Sequence, residues 1–132
     1  MTSQPAPPAG SVSKVECLAS VNGKALGTVS LFRHLAPVTV NAVLRSLPID
    51  SRVSIQPPMV SLFTQIRVGV EKPRAQFERG DVAFLPSGGL ICIFLGSAKS
   101  DRPLNPIGKV EGGVEGFDGV RPGDVVSLKP VP

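Results

Sequence analysis

Few residues in this chain can do chemistry on their own. One histidine, His34, and two cysteines, Cys17 and Cys92, are too few for an ordinary four-ligand structural zinc site. Acyl transfer needs a nucleophile with a base beside it, and the chain has no G-x-S-x-G and only His34 as an imidazole. The acidic residues do not pair. Asp81 and Asp124 each follow a glycine just before an apolar run and read as turn formers, while Glu111 and Glu115 read as exposed positions. The stretch Gly112–Val120, GGVEGFDGV, has neither GxxxxGK[ST] nor a GxGxxG that opens a helix. It reads as a bend or a single helical turn, not a phosphate cradle.

What remains suits binding. Phe63, Gln65, Arg67, Phe84, Pro86 and Phe94 set aromatic rings beside an amide and a guanidinium on neighbouring strands, which fits a small acyl, amide or peptide ligand. Arg67 has the planar fork that takes a carboxylate. The segment Ser97–Asn105, SAKSDRPLN, is polar and reads as a loop long enough to cover a pocket, with Asp101 and Asn105 as its contact residues. Phe84 and Phe94 have a competing place as interior filling, and the pattern leaves open which strand face points inward.

The elements that must position these residues are mostly strands. Val15, Cys17 and Ala19 alternate with Lys14, Glu16 and Leu18, and Asn22-Gly23 follows, which predicts a hairpin with a return strand over Leu26–Phe32. In APVTVNAVLRSLP, Pro37 suits a first helical turn, Val40, Val43, Leu44 and Leu47 recur at helical spacing, and Pro48 ends the run. The prediction is a helix over Val38–Ser46. Residues 53–55 and 59–70 read as strands, the second because Ile66, Val68 and Val70 alternate with Gln65, Arg67 and Gly69. Asp81–Leu85 and Leu90–Leu95 read as strands joined by a turn at Pro86–Gly89, and Val125–Val131 as the last strand.

Composition sets the frame. A chain of 132 residues is enough for one ordinary domain, and 42% hydrophobic against 18% charged residues excludes a disordered chain. With 14 glycines and 14 prolines, short strands and turns are expected in place of long helices. Residues 1–11, MTSQPAPPAGS, read as a flexible Pro-rich tail and 12–132 as a single domain. That start carries no basic, apolar leader, and no segment reaches the length of a membrane span, so a cytoplasmic protein with no membrane partner is expected. In that compartment the two cysteines read as buried free thiols. The net charge of +4 is scattered, and aromatic residues make up only 5%, so no nucleic-acid partner is expected. Low charge and a mean hydropathy of +0.20 point to a homodimer.

Three blocks carry a resemblance. The opening hairpin followed by LAPVTVNAVLRSLP, the Gly-Asp-Val, Pro and Gly-turn pattern of Arg79–Gly96, and IGKVEGGVEG over Ile107–Gly116 occur in an order that resembles cyclophilins, in particular their small prokaryotic and archaeal cyclophilin-like relatives. The resemblance runs from Val12 to Val131. It implies a mainly β fold: a closed cyclophilin-like β-barrel of about eight strands, which leaves no open edge, with one or two short helices. More remote relatives by fold are the barrel subunits of oxoprolinase and urea-amide hydrolase systems. Cyclophilins also imply prolyl isomerisation, through an arginine that donates to the prolyl nitrogen within a Phe-His-Arg motif followed by Phe and Gln. The corresponding region, Ser51–Ile66, reads SRVSIQPPMVSLFTQI and lacks that motif; Arg52 and Arg67 stand in other contexts, the chain has no Trp, and His34 precedes the helix. The expectation is a module that binds a small molecule or a proline-containing peptide on the outer barrel face, without cofactor or metal. The alternative is a weak or divergent prolyl isomerase or chaperone-like peptide binder.

Overall fold

The computed structural model describes residues 13–131. The expected tail over 1–11 therefore lies outside the described residues. The described residues include the predicted hairpin, β1 (Lys14–Val21) and β2 (Lys24–Phe32). Asn22 at φ 47° and Gly23 at φ 86° supply the two left-handed residues that a type I′ turn requires. Helix α1 (Pro37–Ser46) starts on Pro37 and buries Thr39, Val40, Ala42 and Val43. It stops at Leu47, whose backbone is extended ahead of Pro48. Strands β3 (Ile49–Gln56), β4 (Met59–Phe63), β5 (Arg74–Phe77), β6 (Asp81–Leu85), β7 (Leu90–Phe94) and β8 (Ala98–Gly112) follow, then a 3-10 helix (Val114–Gly119) and β9 (Val125–Pro130). No described helix is long and apolar enough to cross a membrane.

The strands form one antiparallel sheet in the order β2-β1-β9-β3-β4-β7-β6-β8-β5, and an added pairing of β2 with β8 closes it. The result is an eight-stranded barrel with β5 attached outside the ring, to β8. The interior holds Val29, Leu31, Val40, Val43, Val60, Leu62, Val82, Phe84, Ile91, Ile93, Ile107 and Phe117, all fully or almost fully buried. Cys17 and Cys92 are buried free thiols, as expected.

Two predicted segments differ. Residues 64–70 are not a strand. After β4 the Thr64 amide and hydroxyl both donate to the Gly89 carbonyl, at 2.9 and 2.7 Å, and the Ile66 amide turns back onto the Thr64 hydroxyl at 3.1 Å. These bonds bend the chain away from ladder pairing. The alternation that suggested a strand survives only as a burial gradient, with Ile66 buried and Val70 exposed. Conversely, the expected loop Ser97–Asn105 lies almost wholly within β8. Its polar, proline-bearing sequence hides the strand, which is held on both sides: Gln76 lies opposite Lys99 and Phe77 opposite Ala98 on β5, and Phe84 lies opposite Asn105 on β6. It is a fixed wall, not a lid.

The two Gly-Asp turns are built alike. In Glu78–Asp81 and Arg121–Asp124 the aspartate amide donates to the carbonyl three residues back, at 3.0 Å in both, and a carboxylate oxygen accepts the amide of that same residue at 2.8 and 2.9 Å. Gly80 (φ 94°) and Gly123 (φ 89°) provide the positive φ of a type II turn.

The β2–β8 seam has little room for side chains. A Cβ on Gly108 would collide with the Ser30 carbonyl, and one on Gly27 would collide with the Gly112 carbonyl. Both glycines face the backbone of the opposite strand. Gly108→Ala is expected to lower stability by about 3 kcal/mol, the upper range for overpacking. Gly119→Ala meets nothing within 4 Å and is expected to stay within about 0.5 kcal/mol. Urea unfolding of the two variants checks this; equal midpoints would show that the seam has slack.

Candidate functional site

Strands β4, β6 and β7 bury both faces. One set of alternate residues points into the barrel, and the other builds a second apolar cluster on the outside: Phe77, Ala83, Leu85, Cys92, Phe94 and Leu104. Its cover comes from β5 and the start of β8. The ring of Phe77 stacks on Phe94 with centroids 4.6 Å apart and planes 7° apart. The Arg74 guanidinium lies 4.9 Å from the Phe77 ring centre and pairs with the nearly buried carboxylate of Asp81 at 3.1 Å.

The cover stops short of the end of β4. There Phe63 is 55% exposed and borders a groove of about 250 Å³ whose lining includes Gln56, Met59, Ser61, Leu90, Cys92 and Arg102. Ser61 and Cys92 are opposed across β4 and β7, with the Ser61 hydroxyl 3.7 Å from the thiol sulfur. Burial pushes the Cys92 thiol up, and it pushes Cys17 up to about 11, so both stay protonated at neutral pH and neither is an activated nucleophile.

A second hollow of about 480 Å³ begins where the groove ends. Its walls are Thr64–Arg67 on one side and the β6–β7 turn, Pro86–Gly89, on the other. The two bonds from Thr64 to Gly89 hold these walls together. Gly89 adopts φ +65°, and a Cβ there would stand 3.0 Å from the Thr64 carbonyl, so the turn needs glycine.

The candidate residues fall into three groups. Gln65, Arg67 and Pro86 meet in the larger hollow, and Phe63 stands next to them in the groove. Phe84 is sealed in the barrel interior, and Phe94 is sealed under Phe77, at 0% and 1% exposure. Neither ring lines the groove or the larger hollow, although Phe94 borders the hollow beside Pro57 and Pro58. Asp101 is exposed and lines an adjoining hollow with Pro57, Pro58, Lys99 and Arg102, the last of which also borders the groove. Asn105 is fully buried. Its side-chain amide donates to Thr39 Oγ1 and the Gly69 carbonyl, both at 3.0 Å, and its carbonyl accepts the Glu71 amide at 2.7 Å. Those bonds anchor residues 69–71 against α1. His34 is exposed beside Phe32 and lines neither hollow.

Met59, Leu90 and Arg102 were not singled out in the sequence, and Cys92 was read only as a buried thiol. The available signal was the two-residue period through β4 and β7, which puts Met59, Ser61 and Phe63 on one face with Leu90, Cys92 and Phe94. Arg102 lay in the stretch read as a loop. Among the described residues no group of three or more His, Cys, Asp or Glu could hold a metal ion.

The sequence pattern of the cyclophilin-like family matches residues 18–129. The chain belongs to the cyclophilin-like family. Among solved structures, the solution structure of the hypothetical protein AF2241 from Archaeoglobus fulgidus is similar at 27% identity, with a TM-score of 0.77 over 90% of this chain and 96% of that one. McbB, solved in complex with tryptophan, shares the cyclophilin-like fold at 15% identity and a TM-score of 0.63; the match takes in 86% of this chain and 44% of McbB. No functionally curated protein matches the sequence significantly.

One carboxylate that follows the Thr64–Arg67 wall in sequence titrates with structural effect. Glu71 caps α1 from outside, accepting the amides of Val38 at 3.0 Å and Thr39 at 2.9 Å and the Thr39 hydroxyl at 2.9 Å. Partial burial alone would raise its pKa, but these three donors and the nearby Lys72 outweigh it and hold the carboxyl below its usual range. The folded pKa lies below the unfolded one. The stabilisation is therefore present above the unfolded value, about 4.3, and is lost as pH falls through the folded value. Glu71→Gln should cost about 1 kcal/mol at neutral pH, as other lost helix caps do. The gap from the parent protein should shrink as pH is lowered from about 5 to about 2. A gap in urea unfolding that does not change with pH would remove the cap from this account.

Proposed function

We propose that this protein is a small-ligand-binding barrel whose site is the outer-face groove beside Phe63. The observation that carries the reading is the second apolar cluster, whose cover ends where Phe63 stands more than half exposed. A large ring left open at the rim of an apolar layer, with an amide, a hydroxyl and a guanidinium around it, is what a ligand site needs: an apolar seat and a few orienting polar groups. The groove volume of about 250 Å³ lies just under the usual range for drug-sized ligands, roughly 300–1,000 Å³. It therefore favours a compact molecule of amino-acid size, or one side chain of a peptide. McbB, which shares the fold, is known in complex with tryptophan, an amphipathic molecule of that size class.

Binding without turnover is favoured. No His, Asp or Glu lines the groove, and the Cys92 thiol in its floor is held protonated by burial. The arginine that lines the groove, Arg102, comes from β8 and not from the β3–β4 segment where cyclophilins carry their motif.

The test is a titration of isotope-labelled protein with N-acetyl amino-acid amides, followed by amide chemical shifts. Apolar and aromatic members should move the signals of Phe63, Gly88, Leu90 and Arg102. Phe63→Ala should weaken binding about fivefold to tenfold, the worth of about 1 kcal/mol of aromatic contact, and leave the fold intact because the ring is exposed. Unmoved groove signals, or full affinity in Phe63→Ala, would refute the reading. Faster X-Pro exchange in an added peptide would replace it with catalysis.

A further inference from the structure

Two chain segments run past both hollows. Met59, Ser61 and Phe63 line the groove, and Thr64–Arg67 continue into the larger hollow. Leu85 and Leu90 line the groove, while the turn between them walls the larger hollow, and Gly88 belongs to both. The two spaces meet at that glycine. One end is apolar, around Phe63, Met59 and Leu90. The other is polar, around Thr64, Gln65, Ser87 and Arg67.

The charge of this combined trough is one-sided. No Asp or Glu lines either part, whereas Arg102 borders the groove and Arg67 the larger hollow. Among the described residues neither guanidinium makes a hydrogen bond or an ion pair. Asp81 is committed to Arg74 and the Glu78 amide, and Asp101, which lines an adjoining hollow together with Arg102, makes no ion pair with it among the described residues.

We infer that the two hollows form one trough, and that its ligand bears a carboxylate seated on Arg67 and an apolar body seated on Phe63. This rests on the binding reading above. A ligand in the larger hollow takes water from Arg67. A carboxylate replaces that water with paired, charge-assisted hydrogen bonds matched to the guanidinium fork, whereas a neutral group leaves a desolvated cation. Phosphate is the poorer match. It favours a nest of free backbone amides, and here the Gly88 and Gly89 amides are both spent on the Leu85 carbonyl, at 3.2 and 2.9 Å. Arg102 flanks the apolar seat and adds longer-range attraction.

The experiment compares N-acetyl-phenylalanylglycine with its C-terminal amide and with phenyl phosphate, by amide shifts on the full chain. The free acid should bind about tenfold tighter than the amide, the worth of one charge-assisted pair. It should move Gln65, Arg67 and Ser87 as well as the groove signals, and weaken in high salt. Arg67→Gln should bring the acid down to the affinity of the amide, Arg102→Gln should weaken the acid less, and Phe63→Ala should weaken both. Equal binding of acid and amide at the groove overturns the carboxylate assignment and leaves the groove reading standing. Preference for phenyl phosphate overturns it in favour of a phosphorylated ligand. Groove signals unmoved by any of the three overturn both.

Discussion

The backbone contact between β2 and β8 is the constraint on which the other features depend. A twisted antiparallel sheet of this size has two exposed edges unless its first and last strands meet. Here they meet where Gly27 faces Gly112 and where Gly108 faces Ser30, with no room for a Cβ at Gly27 or Gly108. Across the same seam the Lys14 ammonium pairs with the Glu111 carboxylate at 2.8 Å, and the Ser30 hydroxyl bonds to that carboxylate. The ion pair is exposed enough to contribute little. The close approach of the two backbones sets the position of β8. Once β8 is set, its first half carries β5, and β5 is the roof of the outer cluster.

This explains why the fold was legible in the sequence and part of the site was not. The block IGKVEGGVEG carried much of the family resemblance, and two of its glycines, Gly108 and Gly113, stand where a Cβ would meet the backbone of β2. Asn22-Gly23, the proline bounds of α1 and the repeated Gly-Asp turns were legible for the same reason: each is a local backbone demand that only a few residue types meet. Side-chain direction is not local in that sense. Phe84 and Phe94 lie on hairpin-paired strands, yet Phe84 faces the interior and Phe94 the outer cluster. Either face of β6 is apolar, so a two-residue period could not say which one was in. The strand over 98–105 was hidden because its pairing partners, not its own residues, hold it extended. Asn105 drew notice as a contact residue and is instead the buried link that fixes Gly69 and Glu71 to α1.

The two apolar layers also divide stability from recognition. Strands β4 and β7 send Val60, Leu62, Ile91 and Ile93 inward, where each is fully buried. Their alternate positions face outward and pass from sealed, at Phe94 and Cys92, to half-buried at Leu90 and open at Phe63. Burial is worth roughly 25 cal/mol per Å² of apolar surface, so change at the inward positions costs the barrel directly. Phe63 and Arg102 contribute little to that core. A sheet of this kind can keep its closure and interior while the residues at the rim of the outer layer vary, and ligand chemistry can then shift with only small effects on folding. The absence of the cyclophilin Phe-His-Arg motif fits this division. Of three consecutive residues on such a strand only alternate ones can point outward, so the interior packing of this hairpin constrains part of that motif and leaves the outward part free.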